Sequence, residues 1–114
     1  MSRERAKGTA AETAVVHYLR GAGFPHVERR AGAGRLDAGD IAGIVGVVIE
    51  VKAHARTELA AWLDETRRET ANGHADYGAV WHKRRGKGSP ADWFVTLDGA
   101  TFTRLLKAAL NADT

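Results

Sequence analysis

Apolar residues recur along this chain in two rhythms. From about Gly8 to Arg20, Ala11, Val15, Tyr18, Leu19 and Ala22 fall at three- and four-residue intervals, the period of one helix face, and Gly21 and Gly23 end the run. His26 to Arg30 alternates weakly and predicts a short edge strand. Asp40 to Ile44 and Val47 to Lys52 are rich in β-branched residues and predict two strands. Their link, Ile44-Val45-Gly46, suits a three-residue hairpin with Gly46 in a left-handed position.

The helical period returns from about Thr57 to Ala71, with Leu59, Trp62, Leu63 and Thr66 inward and Asn72-Gly73 as the stop. Tyr77 to His82 and Trp93 to Leu97 predict a second strand pair across a basic turn, Lys83 to Pro90. A last helix carries the stripe Phe102, Leu105, Leu106, Ala109 and Leu110, with Asp98 as its cap. The order α-β-β-β-α-β-β-α predicts an α/β fold, a mixed central sheet flanked by helices.

The 114 residues fit one domain. No cysteine is present, which excludes disulfides and thiolate zinc sites. No apolar run approaches the ~18 residues of a membrane span, and no apolar segment follows the charged N-terminus. A cytoplasmic protein is the expectation. Net charge is +3, and 12 arginines outnumber 5 lysines. Arginine forks suit phosphate, and cations gather at Arg29-Arg30, Arg67-Arg68 and the turn after His82, which raises nucleic acid as a partner.

The candidate chemistry lies in the central hairpin. In Val47-Val48-Ile49-Glu50-Val51-Lys52, alternation points Glu50 and Lys52 to one face and Ile49 and Val51 to the other. Such an apolar run describes a central strand covered on both faces, where a charged pair needs compensation. A hairpin centred on Val45 sets Asp40 opposite Glu50. Facing carboxylates repel unless a cation joins them, and oxygen donors without His or Cys suit Mg²⁺, with Mn²⁺ able to substitute. Glu12, at the border of the first helix's apolar stripe, adds a third acid. Lys52 can orient a nucleophile or stabilise developing negative charge. The plainer reading of Glu50 and Lys52 is an exposed ion pair.

In the turn after His82, Lys83, Arg84, Arg85 and Lys87 supply four cations with glycines for close backbone approach, which fits a phosphate grip or a solvated hairpin tip. Gly86-Lys87-Gly88-Ser89 lacks the preceding glycine of a phosphate loop, where Trp81 stands. The histidines show no metal spacing. His54, two residues past Lys52, is the one nearest the candidate chemistry.

Lys7-Gly8-x-x-x-Glu12, a glycine-rich loop, Gly39-Asp40-Ile41 and Glu50-Val51-Lys52 together resemble the PD-(D/E)XK nuclease superfamily. They look most like the Holliday junction resolvases of the archaeal type and their phage-encoded relatives. The motifs cover about residues 7 to 54. The resemblance implies a restriction-endonuclease-like core over a single nuclease domain, residues 1 to 114. It also implies a Mg²⁺-dependent endonuclease that cuts four-way DNA junctions by paired nicks. Glu12, Asp40, Glu50 and Lys52 take the catalytic positions, the three acids holding metal. Lys7, Gly8, Arg29 and Arg30 approach the DNA backbone, and Arg35 stands in as a further phosphate contact. Gly39 replaces the proline that names the motif, Thr13 an arginine common after the helical Glu, and residues 31 to 39 contain no serine.

One site per domain and two cuts per junction imply a homodimer. Trp62, or Trp81 with Trp93, offer dimer surfaces unless they fill the core. Other PD-(D/E)XK endonucleases, a catalytically silent DNA-binding module and an RNA nuclease remain the alternatives.

Overall fold

A computed structural model describes residues 2–30 and 38–111 of the chain. Helix α1 (Arg3–Gly21) leads into strands β1 (Glu28–Arg29), β2 (Ile41–Ala42) and β3 (Val47–Lys52). Helix α2 (Leu59–Asn72), strand β4 (Tyr77–His82), a 3-10 turn (Pro90–Asp92), strand β5 (Phe94–Thr96) and helix α3 (Gly99–Asn111) follow. The five strands form one mixed sheet in the order β1-β2-β3-β4-β5. Only β3 and β4 run parallel, with α2 as their crossover.

Helix α1 begins five residues before its predicted start. Ser2 caps it, its side chain accepting from the Arg5 N–H at 3.1 Å, so the polar first turn is helical without an apolar face of its own. Ala11, Val15, Val16 and Leu19 pack with Val27, Ile41, Ile49, Val51 and Trp93 into the core on one side of the sheet. Helix α2 packs on the other side of β3 and β4. Gly78 permits its close approach, since a Cβ there would collide with Thr70 Oγ1. Strand β3 is thus covered on both faces, and its four middle residues are buried.

Strands β1 and β2 are two residues each, shorter than the predicted 26–30 and 40–44. The chain leaves the ladder at Gly43, whose φ of +104° turns it against the His26 carbonyl, where a Cβ would collide. The hairpin is still centred on Val45, and Gly46 is left-handed as expected, with φ of +79°. Trp62 and Trp93 are buried and Trp81 packs against the core, so these aromatics fill the interior.

The stripe on α3 does not fill a core. Thr101 is its one buried residue among those described, while Phe102 is 52% and Leu110 71% exposed. Helix α2 already covers β3 and β4 on that side, so α3 makes only sparse contact with the sheet, at β4. The Asp98 cap is as expected: Oδ1 accepts from the Thr101 N–H at 2.7 Å. That bond, supported by Arg67, holds the Asp98 carboxyl down at about 2. No described helix is long and apolar enough to cross a membrane.

Candidate active site

Strand pairing brings the hairpin acids together. Ile41 pairs with Ile49, so Asp40 lies one step further along, across from Glu50. Its backbone continues the ladder, the Asp40 N–H donating to the Ile49 carbonyl at 2.9 Å. Its Oδ2 accepts from the Val51 N–H at 2.8 Å, which fixes the carboxylate between the two strands. Gly39 precedes it with φ of +96°, and a Cβ there would press on Val48 and the Ile49 carbonyl. A proline, locked near −65°, cannot take that conformation. The Gly39 backbone therefore differs from what a motif proline imposes.

Glu50 is buried on the α2 side of β3. Burial is the main force pushing its carboxyl up to about 11, followed by Glu69 and Asp40, with Lys52 opposing. The Lys52 ammonium donates to Glu65 Oε1 at 2.8 Å and sits 3.5 Å from Glu50 Oε1. Burial works to lower the Lys52 pKa, but Glu65 and Glu50 outweigh it and hold it above the ordinary lysine value. Glu50 and Lys52 are therefore neither exposed nor isolated: the plainer reading of a solvated ion pair does not describe them.

Glu65 and Glu69 are the residues that sequence reasoning missed. Oxygens of Glu50, Glu65 and Glu69 all lie within 4.8 Å of one another, the one such acidic trio among the described residues. Lys52 serves as a cation against two of its members. A signal was present. Glu69 lies three and seven residues beyond Thr66 and Trp62, on the same inward face of α2, and Glu65 borders it.

Glu12 approaches from α1. Its Oε1 accepts from Arg29 Nε at 3.0 Å, and burial and Asp40 raise its pKa against the pull of Arg29. Glu12, Asp40, Glu50 and Lys52 line one groove of about 350 Å³ together with Lys7 and Gly8. The three expected metal ligands share a groove but do not close to within 4.8 Å of one another as Glu50, Glu65 and Glu69 do, and Glu12 is turned toward Arg29.

The cations divide. Lys7 lines this groove and also a second, of about 430 Å³, which Lys83, Arg84 and Arg85 border. The grooves share Lys7, Ala53, His54 and Ala55, so an acidic floor continues into a basic one. Lys83 lies 5.9 Å over the Trp93 ring and Arg84 5.4 Å over Phe94. Two indoles anchor this turn: Trp81 Nε1 donates to the Pro90 carbonyl at 3.1 Å, and Trp93 Nε1 to the Lys87 carbonyl at 2.7 Å. Arg30 and Lys87 are exposed and line neither groove. Arg35 and the glycine-rich stretch 31–37 lie outside the described residues. His82 ends β4, buried and 2.8 Å from Thr96 Oγ1, and burial lowers its pKa. No family model, no curated protein and no solved structure matches this chain.

Proposed function

We propose that the chain is a metal-dependent endonuclease that cuts branched DNA, of the Holliday junction resolvase type, built on a restriction-endonuclease-like core. One observation carries the reading. Asp40 and Glu50 oppose each other across β2 and β3, with Lys52 beside Glu50, in a groove that runs into a basic one. An acid pair with an ammonium beside it and a polyanion track leading away suits phosphodiester hydrolysis.

The acids fit Mg²⁺ or Mn²⁺. The donors are carboxylate oxygens, and Glu50 carries the cost of burial among other acids, which a cation relieves. Asp40 and Glu50 would hold the ion, with Glu12 at the edge of the same groove. When bound, a divalent ion at such a site offsets charge on phosphoryl oxygens and lowers the pKa of a coordinated water. Asp40 is oriented for this by the Val51 N–H. Lys52, tethered by Glu65, presents a positive charge where the scissile phosphate becomes more negative. Lys7, Arg84 and Arg85 line the continuing groove and neutralise backbone phosphates, so binding reads shape more than sequence. Paired incision of a four-way junction requires two copies of the chain.

The test is cleavage of a synthetic four-way junction, a flap and a linear duplex, each with Mg²⁺ or EDTA. The expected result is Mg²⁺-dependent, symmetric nicking of the junction with the duplex largely intact. Equal cutting of all three replaces the resolvase with a less selective nuclease. Binding without cutting by wild type, Glu50→Gln and Lys52→Ala alike leaves a DNA-binding module.

A further inference from the structure

The second groove is not purely electrostatic. It contains the Phe94 ring, which is 50% exposed although it borders cations and lies on the edge strand. Phe94 is one end of a ring series that passes through the interior from His54, which lies 5.7 Å from Trp62. Trp62 lies 5.5 Å from His82, and His82 5.6 Å from Phe94, ring centre to ring centre. The Arg84 guanidinium continues the series 5.4 Å from the Phe94 centre. Trp62 and His82 are buried and Arg84 is exposed, so the series is held at its middle and open at the Phe94 end.

A phosphate contact needs cations only. An exposed aromatic ring paired with a planar guanidinium, inside a cationic groove, adds a flat surface for a second flat group. Every nucleobase has such a face, and aromatic rings and arginine planes are the surfaces on which unpaired bases stack. A base within a duplex is already stacked and cannot use it. The cavity of about 430 Å³ is within the range of pockets that hold small organic groups. It joins the acidic groove through Lys7 and His54, so a strand whose phosphate lies at the acids can place a neighbouring nucleotide here.

We infer that the Phe94–Arg84 tip is a subsite for one unpaired nucleobase next to the cut, which selects DNA with open base pairs over continuous duplex. The inference rests on the nuclease reading and specifies its substrate. Bases at a branch point or flap junction unstack at low cost, whereas opening an intact duplex costs several stacking steps.

The test is equilibrium binding in EDTA, by fluorescence anisotropy, of three labelled DNAs of equal length. One is fully paired, one carries a central bubble of unpaired nucleotides, and one carries the same bubble with abasic sugars. Wild type is expected to favour the bubble about tenfold over both others. Phe94→Ala should bring that preference below about twofold with duplex binding retained, and Phe94→Trp should keep it. Phe94→Leu, which conserves apolar bulk without a ring, should behave like Phe94→Ala. Equal binding of the normal and abasic bubbles by wild type, or an unchanged preference in Phe94→Ala, overturns the base subsite. If Mg²⁺-dependent cleavage persists in that case, the nuclease reading stands without it. Absence of binding to all three DNAs overturns the base subsite, and absence of Mg²⁺-dependent junction cleavage as well overturns both.

Discussion

The ammonium of Lys52 lies 2.8 Å from Glu65 Oε1, joining the end of β3 to α2 across a half-buried groove. The bond limits where a flexible four-carbon side chain can place its charge. Glu65 touches no reacting atom in the proposed reaction and acts through Lys52 as a positioning residue. Lys52→Ala is expected to lower the cleavage rate about 100- to 1,000-fold, the cost of removing a preorganised charge. Glu65→Gln should lower kcat by on the order of 10-fold with KM nearly unchanged, because the charge remains but is less well placed. Steady-state cleavage over a range of junction DNA concentrations separates kcat from KM. A Glu65→Gln enzyme with wild-type kcat would remove Glu65 from the mechanism.

Glu50 sets function against stability. Its folded-state pKa lies far above the ordinary 4.5, near 11. Its carboxyl therefore favours the fold fully below pH 4.5, and that contribution is lost as pH rises toward 11. Glutamine cannot ionise and escapes the loss. In EDTA, Glu50→Gln is expected to gain about 1–3 kcal/mol over wild type at pH 8, with a smaller gain at pH 5. Urea melts at the two pH values measure this. The same variant should show no detectable Mg²⁺-dependent cleavage. A variant less stable than wild type at pH 8 would mean that Lys52 compensates the Glu50 charge fully.

Gly39 stands where the pattern that this chain resembles has proline, and it adopts φ of +96°. Gly39→Pro is expected to destabilise the fold by about 1–3 kcal/mol and to impair cleavage, since Asp40 follows directly. Gly39→Ala should be milder in backbone terms but still meets Val48 and the Ile49 carbonyl. Thermal melts of both, set beside junction cleavage, are the measurement. A fully stable and active Gly39→Pro protein would place residue 39 in the conformation the motif proline imposes.

Val80 and Leu110 divide the apolar residues by environment. Val80 is fully buried between Glu50 and Thr96 in the sheet, whereas Leu110 is 71% exposed on α3. Val80→Ala should cost about 2 kcal/mol, from lost transfer energy and a residual cavity. Leu110→Ala should change stability by less than about 0.5 kcal/mol. Equal costs in denaturant melts would mean that the α3 stripe is packed after all.

The order of elements, the central place of β3 and the facing of Asp40 and Glu50 could be read from one dimension because local rules govern them. Side-chain alternation assigns Glu50 and Lys52 to one face, and a turn centred on Val45 sets the register. Three matters depended on contacts between distant segments. Glu65 and Glu69 reach the acids because α2 crosses the sheet just there, and helical periodicity tells which face is inward without telling what lies beneath it. The α3 stripe has the period of a core face, yet α2 already occupies the surface it would cover. Phe94 becomes one end of a ring series only because β5 pairs with β4 at His82. Periodicity is a property of neighbours along the chain. Which surfaces remain open is settled by the competition of whole elements for a limited sheet.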